Sequence, residues 1–176
     1  MTVQTFVCRI CGESMIMDGK PSRCPFCGAY EKYLVEIKDY DDTGAWDVEL
    51  NETEKANVEK ALGVEISNTL FYKCSAKKVK ELDGQKLFKI LAKVEGEHAA
   101  VWKKILKLDK IKWEPPESCV AEYKADLEDS HAREERAIKF YGEAAAAAES
   151  TRVKEIFEAF IEVETDHLKL SEVRLK

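Results

Sequence analysis

No stretch of this chain approaches the roughly 20 apolar residues that a membrane-crossing helix needs, so no membrane role is expected. Positive charge is not in excess. There are 28 Lys and Arg against 34 Asp and Glu, a formal net charge of −6, which argues against a nucleic-acid partner. The opening residues, Met1-Thr2-Val3-Gln4-Thr5-Phe6, offer neither a basic flank nor an apolar run of signal-peptide length, so a cytoplasmic protein is expected. Apolar content is not low: 45% hydrophobic and 35% charged residues describe a soluble globular chain rather than a disordered one. Histidine is scarce. There are three in 176 residues, and two of them end a short motif at the same distance from an upstream glutamate.

That motif is Glu-x-x-His. It occurs as Glu95/His98 and Glu164/His167, and each copy follows a glutamate, Glu65 or Glu134, by 30 positions (95 − 65 and 164 − 134). The two sets lie 69 positions apart (134 − 65 and 167 − 98). Residues i and i+3 share a helix face, so each Glu projects with its His. Four carboxylates and two imidazoles on this spacing suit a two-metal site inside a four-helix bundle. Glu95 and Glu164 are the natural bridging ligands; Glu65 and His98 would complete one metal, and Glu134 and His167 the other. The set favours iron or manganese over calcium or structural zinc. Burying six such groups without a metal would be costly. The competing reading, solvated helix faces, fits one isolated motif but not two copies at a shared offset. Tyr72 and Tyr141 lie two turns beyond Glu65 and Glu134 on the same faces, either as core packing or as hydroxyl donors to a ligand carboxylate. His131 makes a third Glu-x-x-His with Glu128, but Leu62 stands at the matching earlier position, so a surface or supporting role is expected.

The repeat extends beyond the ligands. Phe71-Tyr72 recurs as Phe140-Tyr141, Ala76 as Ala145, and Val94-Glu95 as Val163-Glu164, so the helical part reads as two copies of one hairpin. The first helix is expected from a capping box at Asn51 and Glu54 to about Leu82, stopped by Asp83-Gly84. The second carries an apolar stripe at Leu87, Leu91, Val94, Val101, Ile105 and Leu108. Pro115-Pro116 forbids helix. The third helix is expected to start near Glu117 to Val120 and run through Ala144 to Ala148; the fourth starts at a Ser150 or Thr151 cap and runs to the end. Residues 51–176 thus form the bundle, and residues 39–50 a polar linker tied down by Trp46. Residues 1–38 read as short strands around Gly- and Pro-bearing turns, a module too small to fold without a staple such as a metal.

Cys8-x-x-Cys11-Gly12 and Cys24-Pro25-x-Cys27-Gly28 supply that staple, a four-thiolate set at knuckle spacing. Glycine after the second cysteine permits the tight turn. Zinc or a single iron fills such a tetrahedral site, and spacing alone does not choose between them. Cys74 and Cys119 lie far apart in sequence and are expected to be reduced, buried small hydrophobes.

Together these residues resemble the rubrerythrin family, and the similarity covers nearly the whole chain. The knuckles resemble its rubredoxin domain, and the set Glu65, Glu95, His98, Glu134, Glu164 and His167 resembles its ferritin-like di-iron bundle. The order, rubredoxin-like part first, is that of the form called reverse rubrerythrin. The resemblance implies a mainly α fold and two iron cofactors, a mononuclear four-cysteine iron and a non-haem di-iron centre. It implies a dimeric cytoplasmic peroxidase that reduces hydrogen peroxide in oxidative-stress defence. Electrons would arrive through the rubredoxin-type iron from rubredoxin or an NAD(P)H-dependent rubredoxin reductase. The sequence departs from the family at one point: an extra glutamate usual three residues after the third helix's ligand is Ala137 here, and the equivalent in the first helix is Asn68. In the family that carboxylate lets one iron change ligands, so the set here is closer to general ferritin-like oxidases.

The chemistry agrees with the resemblance. Peroxide needs two electrons, which a diferrous pair supplies in one step, and a one-electron iron in the knuckles can restore them. Ligand glutamates, Tyr72 and Tyr141 are the candidate proton relays. Two other readings use the same residues: a ferroxidase, iron-handling or oxygen-reducing protein, and a non-catalytic regulatory protein with a zinc ribbon. The connection between the second and third helices bears on assembly. If it spans only Leu108 to Glu117, extended chain reaches about 28 Å against a bundle length of roughly 40 Å. Either the helices are shorter at that end, or hairpins are exchanged within a dimer.

Overall fold

The computed structural model describes residues 3–176. Three short strands, β1 (Gln4–Cys8), β2 (Ser14–Met17) and β3 (Leu34–Glu36), form an antiparallel sheet in the order β2-β1-β3. Four helices follow: α1 (Glu52–Lys78), α2 (Leu82–Ile105), α3 (Tyr123–Ala147) and α4 (Thr151–Leu175). The chain is therefore a mainly α four-helix bundle with a small N-terminal β module. No helix among the described residues is long and apolar enough to cross a membrane.

Helix α1 packs along α2, α3 along α4, and α1 against α3. The α1–α3 pair is antiparallel, since Tyr141 meets Glu65 while Tyr72 meets Glu134. The expected cap of α1 is present: Asn51 Oδ1 accepts from Glu54 N (2.9 Å), and the Glu54 carboxylate accepts from Asn51 N (3.1 Å). Its other oxygen accepts from Glu149 N (3.0 Å) and Ser150 N (2.7 Å), which joins the starts of α1 and α4. Ser150 caps α4 by accepting from Val153 N.

Three expectations need correction. Asp83-Gly84 does not stop the first helix; α1 ends at Lys78, and both residues lie in the first turn of α2. Gly84 is needed for close packing instead, because a Cβ there would sit 2.7 Å from the Tyr123 ring. The third helix starts at Tyr123, not near Glu117. Ala121 adopts a left-handed φ of 68°, Glu122 caps α3 by accepting from Ala125 N (2.7 Å), and the Asp126 carboxylate accepts from Val120 N (2.9 Å). The connection thus runs over residues 106–122, long enough to travel the bundle. Finally, Cys74 and Cys119 are not free thiols. They form a disulfide between α1 and this connection, because the chain folds back along α1 after Pro115-Pro116 and brings the two together.

The β module is seated on the bundle rather than tethered to it. One apolar cluster runs from Ile10, Cys27 and Leu34 into Trp102, Phe157 and Phe160. Ion pairs Arg9–Glu155, Arg23–Asp166 and Lys32–Glu162 fasten the module to the outer face of α4. Trp46 does pin the linker, lying between Lys104 and Arg152 at 4.8 and 4.9 Å.

Candidate metal centres

The knuckles bring Cys8, Cys11, Cys24 and Cys27 into one buried cluster. Cys8 Sγ lies 3.7 Å from Cys27 Sγ, and Cys11 Sγ lies 3.8 Å from Cys24 Sγ. A tetrahedron with metal–sulfur bonds of about 2.3 Å has edges of about 3.8 Å, so the four sulfurs already fit a metal. The thiols divide in acidity. Sulfur hydrogen bonds, led in each case by the one with Cys11, hold Cys8 and Cys24 low and drive Cys27 up, and the one with Cys24 leads in driving Cys11 up. Four thiolates this close need a cation to coexist. Gly28, at φ +78°, completes the second knuckle and lets it press on α4, where a Cβ would come 2.9 Å from Val163.

The bundle centre holds the second cluster. Glu65 comes from α1, Glu95 and His98 from α2, Glu134 from α3, and Glu164 and His167 from α4. They gather as two overlapping groups, Glu65/Glu95/His98/Glu164 and Glu95/Glu134/Glu164/His167. Glu95 and Glu164 belong to both, as bridging ligands must. All six residues are buried, and one chain supplies them all, so hairpin exchange is not needed to complete the site.

Three observations fit this cluster to a metal pair. Eight of its atoms, Glu65 Oε2, both oxygens of Glu95 and of Glu164, Glu134 Oε2, and Nδ1 of His98 and His167, have no hydrogen-bond partner. Yet His98 Nδ1 lies 3.0 Å from Glu164, and His167 Nδ1 lies 2.8 Å from Glu164 and 3.1 Å from Glu95. Close approach without hydrogen-bond alignment describes ligand atoms aimed at a shared point rather than at one another. Finally, burial, the neighbouring carboxylates and the two imidazoles shift the acids apart. Burial first, then the neighbouring carboxylates, drives Glu65 and Glu134 well above the ordinary range. Burial opposes ionisation of Glu95 and Glu164 too, but the two imidazoles outweigh it and hold them low. A divalent pair would replace that divided protonation with full ionisation.

Supporting contacts are specific. Tyr72 donates to Glu134 and Tyr141 donates to Glu65, each across the α1–α3 interface. Phe160 stacks on His98 at 4.0 Å. His98 Nε2 lies 2.9 Å from the carbonyl oxygen of Cys27. A carbonyl only accepts, so Nε2 carries a hydrogen, and once the ring is neutral Nδ1 is the nitrogen left with a lone pair for a metal. His131 stays outside the cluster, paired with Glu135 and Glu172.

The ten candidate ligands that the sequence pattern singles out all fall in these two clusters. The pattern does not locate the Cys27 carbonyl, which has no side-chain signature, nor Ser130, which sits 2.9 Å from the Tyr72 hydroxyl. Comparison with protein-family models, curated proteins and solved structures returned no match.

Proposed function

We propose that the chain is a rubrerythrin-like, non-haem di-iron peroxidase that reduces hydrogen peroxide to water in oxidative-stress defence, with electrons entering through the four-cysteine site. The observation that carries this reading is the His98–Cys27 hydrogen bond. One residue of the four-thiolate cluster touches one ligand of the bundle cluster, which a purely structural zinc knuckle has no reason to do.

When bound, a ferrous pair would supply the two electrons of H2O2 + 2 e⁻ + 2 H⁺ → 2 H2O, and an iron among the four thiolates would pass single electrons. The chain's own part is to hold and to protonate. Glu95 and Glu164 keep the two half-sites adjacent. His98 spans the two centres, with Nδ1 toward the carboxylates and Nε2 on Cys27. Phe160 keeps water from that contact. Tyr72 and Tyr141, whose phenols burial and the neighbouring glutamates push well above the usual range, stay protonated and donate to the carboxylates that would receive charge. The proposed reductant is rubredoxin or an NAD(P)H-dependent rubredoxin reductase, and the proposed setting is a cytoplasmic homodimer.

Anaerobic purification followed by metal analysis and a visible spectrum tests the reading. About three irons per chain, with iron–thiolate absorption, is expected. Cys8→Ser should keep the bundle metals and one round of peroxide consumption, yet lose repeated turnover with an external reductant. Zinc alone, or turnover indifferent to Cys8→Ser, overturns it. The absence of a carboxylate at Asn68 and Ala137 favours a second reading, a ferroxidase or oxygen-reducing protein. Iron oxidation by dioxygen outpacing that by peroxide would select it.

A further inference from the structure

A cavity of about 590 Å³ opens between α1 and α3. Hydrogen peroxide needs little more room than a water, about 30 Å³, whereas this space is that of a small organic ligand. Its floor is Asn68 and Ala137, which lie one turn past Glu65 and Glu134. Because α1 and α3 are antiparallel, with Tyr141 on Glu65 and Tyr72 on Glu134, that floor falls midway between the two terminal carboxylates of the bundle cluster.

The lining is two-sided. Val64, Ala137 and Phe140 are apolar; Lys60, Arg133 and Arg136 are cationic, and among the described residues no acidic one lines the space. Arg133 is already faced by Glu117 at 3.3 Å and Asp129 at 3.4 Å. Lys60, over the Phe140 ring at 4.0 Å, and exposed Arg136 remain to meet an incoming anion. At the floor Asn68 is only 3% exposed. Its Oδ1 accepts from Arg133 at 3.4 Å, but its Nδ2 has no partner. A buried unpaired donor is costly unless a ligand atom answers it.

We propose that this cavity receives an organic hydroperoxide with a short apolar body and an anionic head group. The proposal rests on the peroxidase reading above. The hydroperoxide end reaches the floor, where Asn68 Nδ2 donates to it, and the anion stays at the mouth with Lys60 and Arg136. The reaction is R–OOH + 2 e⁻ + 2 H⁺ → R–OH + H2O. The O–O bond breaks and the distal oxygen leaves as water; a reduced metal pair held by Glu65, Glu95, His98, Glu134, Glu164 and His167 would supply both electrons.

Binding is measured apart from turnover, on iron-loaded protein under anaerobic conditions, by calorimetry with unreactive hexanoate. Hexyl phosphate tells a phosphate head from a carboxylate, and hexanol is the uncharged control. Hexanoate or hexyl phosphate should bind and hexanol should not. The double variant Lys60→Gln/Arg136→Gln should bind at least about tenfold more weakly, the loss of a charge-assisted hydrogen bond. In turnover, a carboxylated hydroperoxide should exceed tert-butyl hydroperoxide in kcat/KM, and the double variant should erase that preference. No binding by either anion, or affinity unchanged in the variant, overturns the cavity assignment. Loss of turnover with every peroxide while hexanoate still binds overturns the peroxidase reading instead.

Discussion

At the scale of single residues the two half-sites match in ligands but not in what stands behind them. Glu134 accepts from Tyr72, whose hydroxyl lies 2.9 Å from Ser130, which lies 3.2 Å from Ser171. Glu65 accepts from Tyr141, and the residue matching Ser130 across the 69-residue repeat is Ala61, which ends any such chain. Proton delivery is therefore expected through Tyr72. Tyr72→Phe and Ser130→Ala should each slow turnover by about tenfold to a hundredfold and alter the solvent isotope effect, with metal content kept. Tyr141→Phe should cost less. Equal losses at the two tyrosines would remove any role for the hydroxyl chain. Both tyrosines are legible in the repeat. Their crossing is not: each serves the glutamate of the opposite helix, and only the antiparallel seating of α1 on α3 decides that. Ser130 and the Cys27 carbonyl are invisible for a simpler reason, since neither residue identity implies a bond to a metal ligand.

Among the elements, the helices are legible because an apolar stripe and a capping box report local physics. The connection from α2 to α3 is not, because its path depends on distant contacts. Glu117 accepts from Ser67 at 2.6 Å and faces Arg133, and Cys119 is bonded to Cys74. These contacts hold residues 117–122 along α1 where sequence alone suggests helix. The disulfide closes a loop with a sequence separation of 45, worth about 4 kcal/mol at most on a chain-entropy argument. In a reducing compartment it would be a transient bond. The variant Cys74→Ser/Cys119→Ser should lower Tm by several degrees and raise hydrogen exchange in residues 106–122. This variant leaves the knuckle site alone, whereas a thiol reductant would also compete with Cys8, Cys11, Cys24 and Cys27 for their metal. An unchanged Tm together with unchanged exchange would mean that the Glu117 and Asp126 contacts alone hold the connection.

For the whole molecule, one core joins both metal centres, and protein with a metal-free bundle should reveal this through pH. Burial and the neighbouring carboxylates raise Glu65 and Glu134, outweighing at Glu134 the hydrogen bond donated by Tyr72, so above an unfolded value near 4.3 the folded chain holds more protons than the unfolded one. Stability then falls as pH rises. Burial alone would lower His98 and His167, but Glu164 and Glu95 outweigh it and raise both. Their contribution is full below about 6.5 and is lost as pH climbs through the folded value. Glu95 and Glu164, held low, add stability that disappears only in acid. Between about pH 5 and 9 every active contribution of the bundle cluster therefore has the same sign. Cys8 and Cys24, held low, act in the opposite direction, so the steady decline in Tm is expected of protein whose bundle is metal-free while its knuckles hold their metal. Metal displaces these protons, so the increment in Tm on loading with ferrous iron should grow over the same range. Thermal melts of the two forms across that range make the comparison. A Tm that climbs with pH in the form with the metal-free bundle would show that the six groups do not share one buried site, and the seating of the knuckles on the bundle would then have no chemical partner to serve.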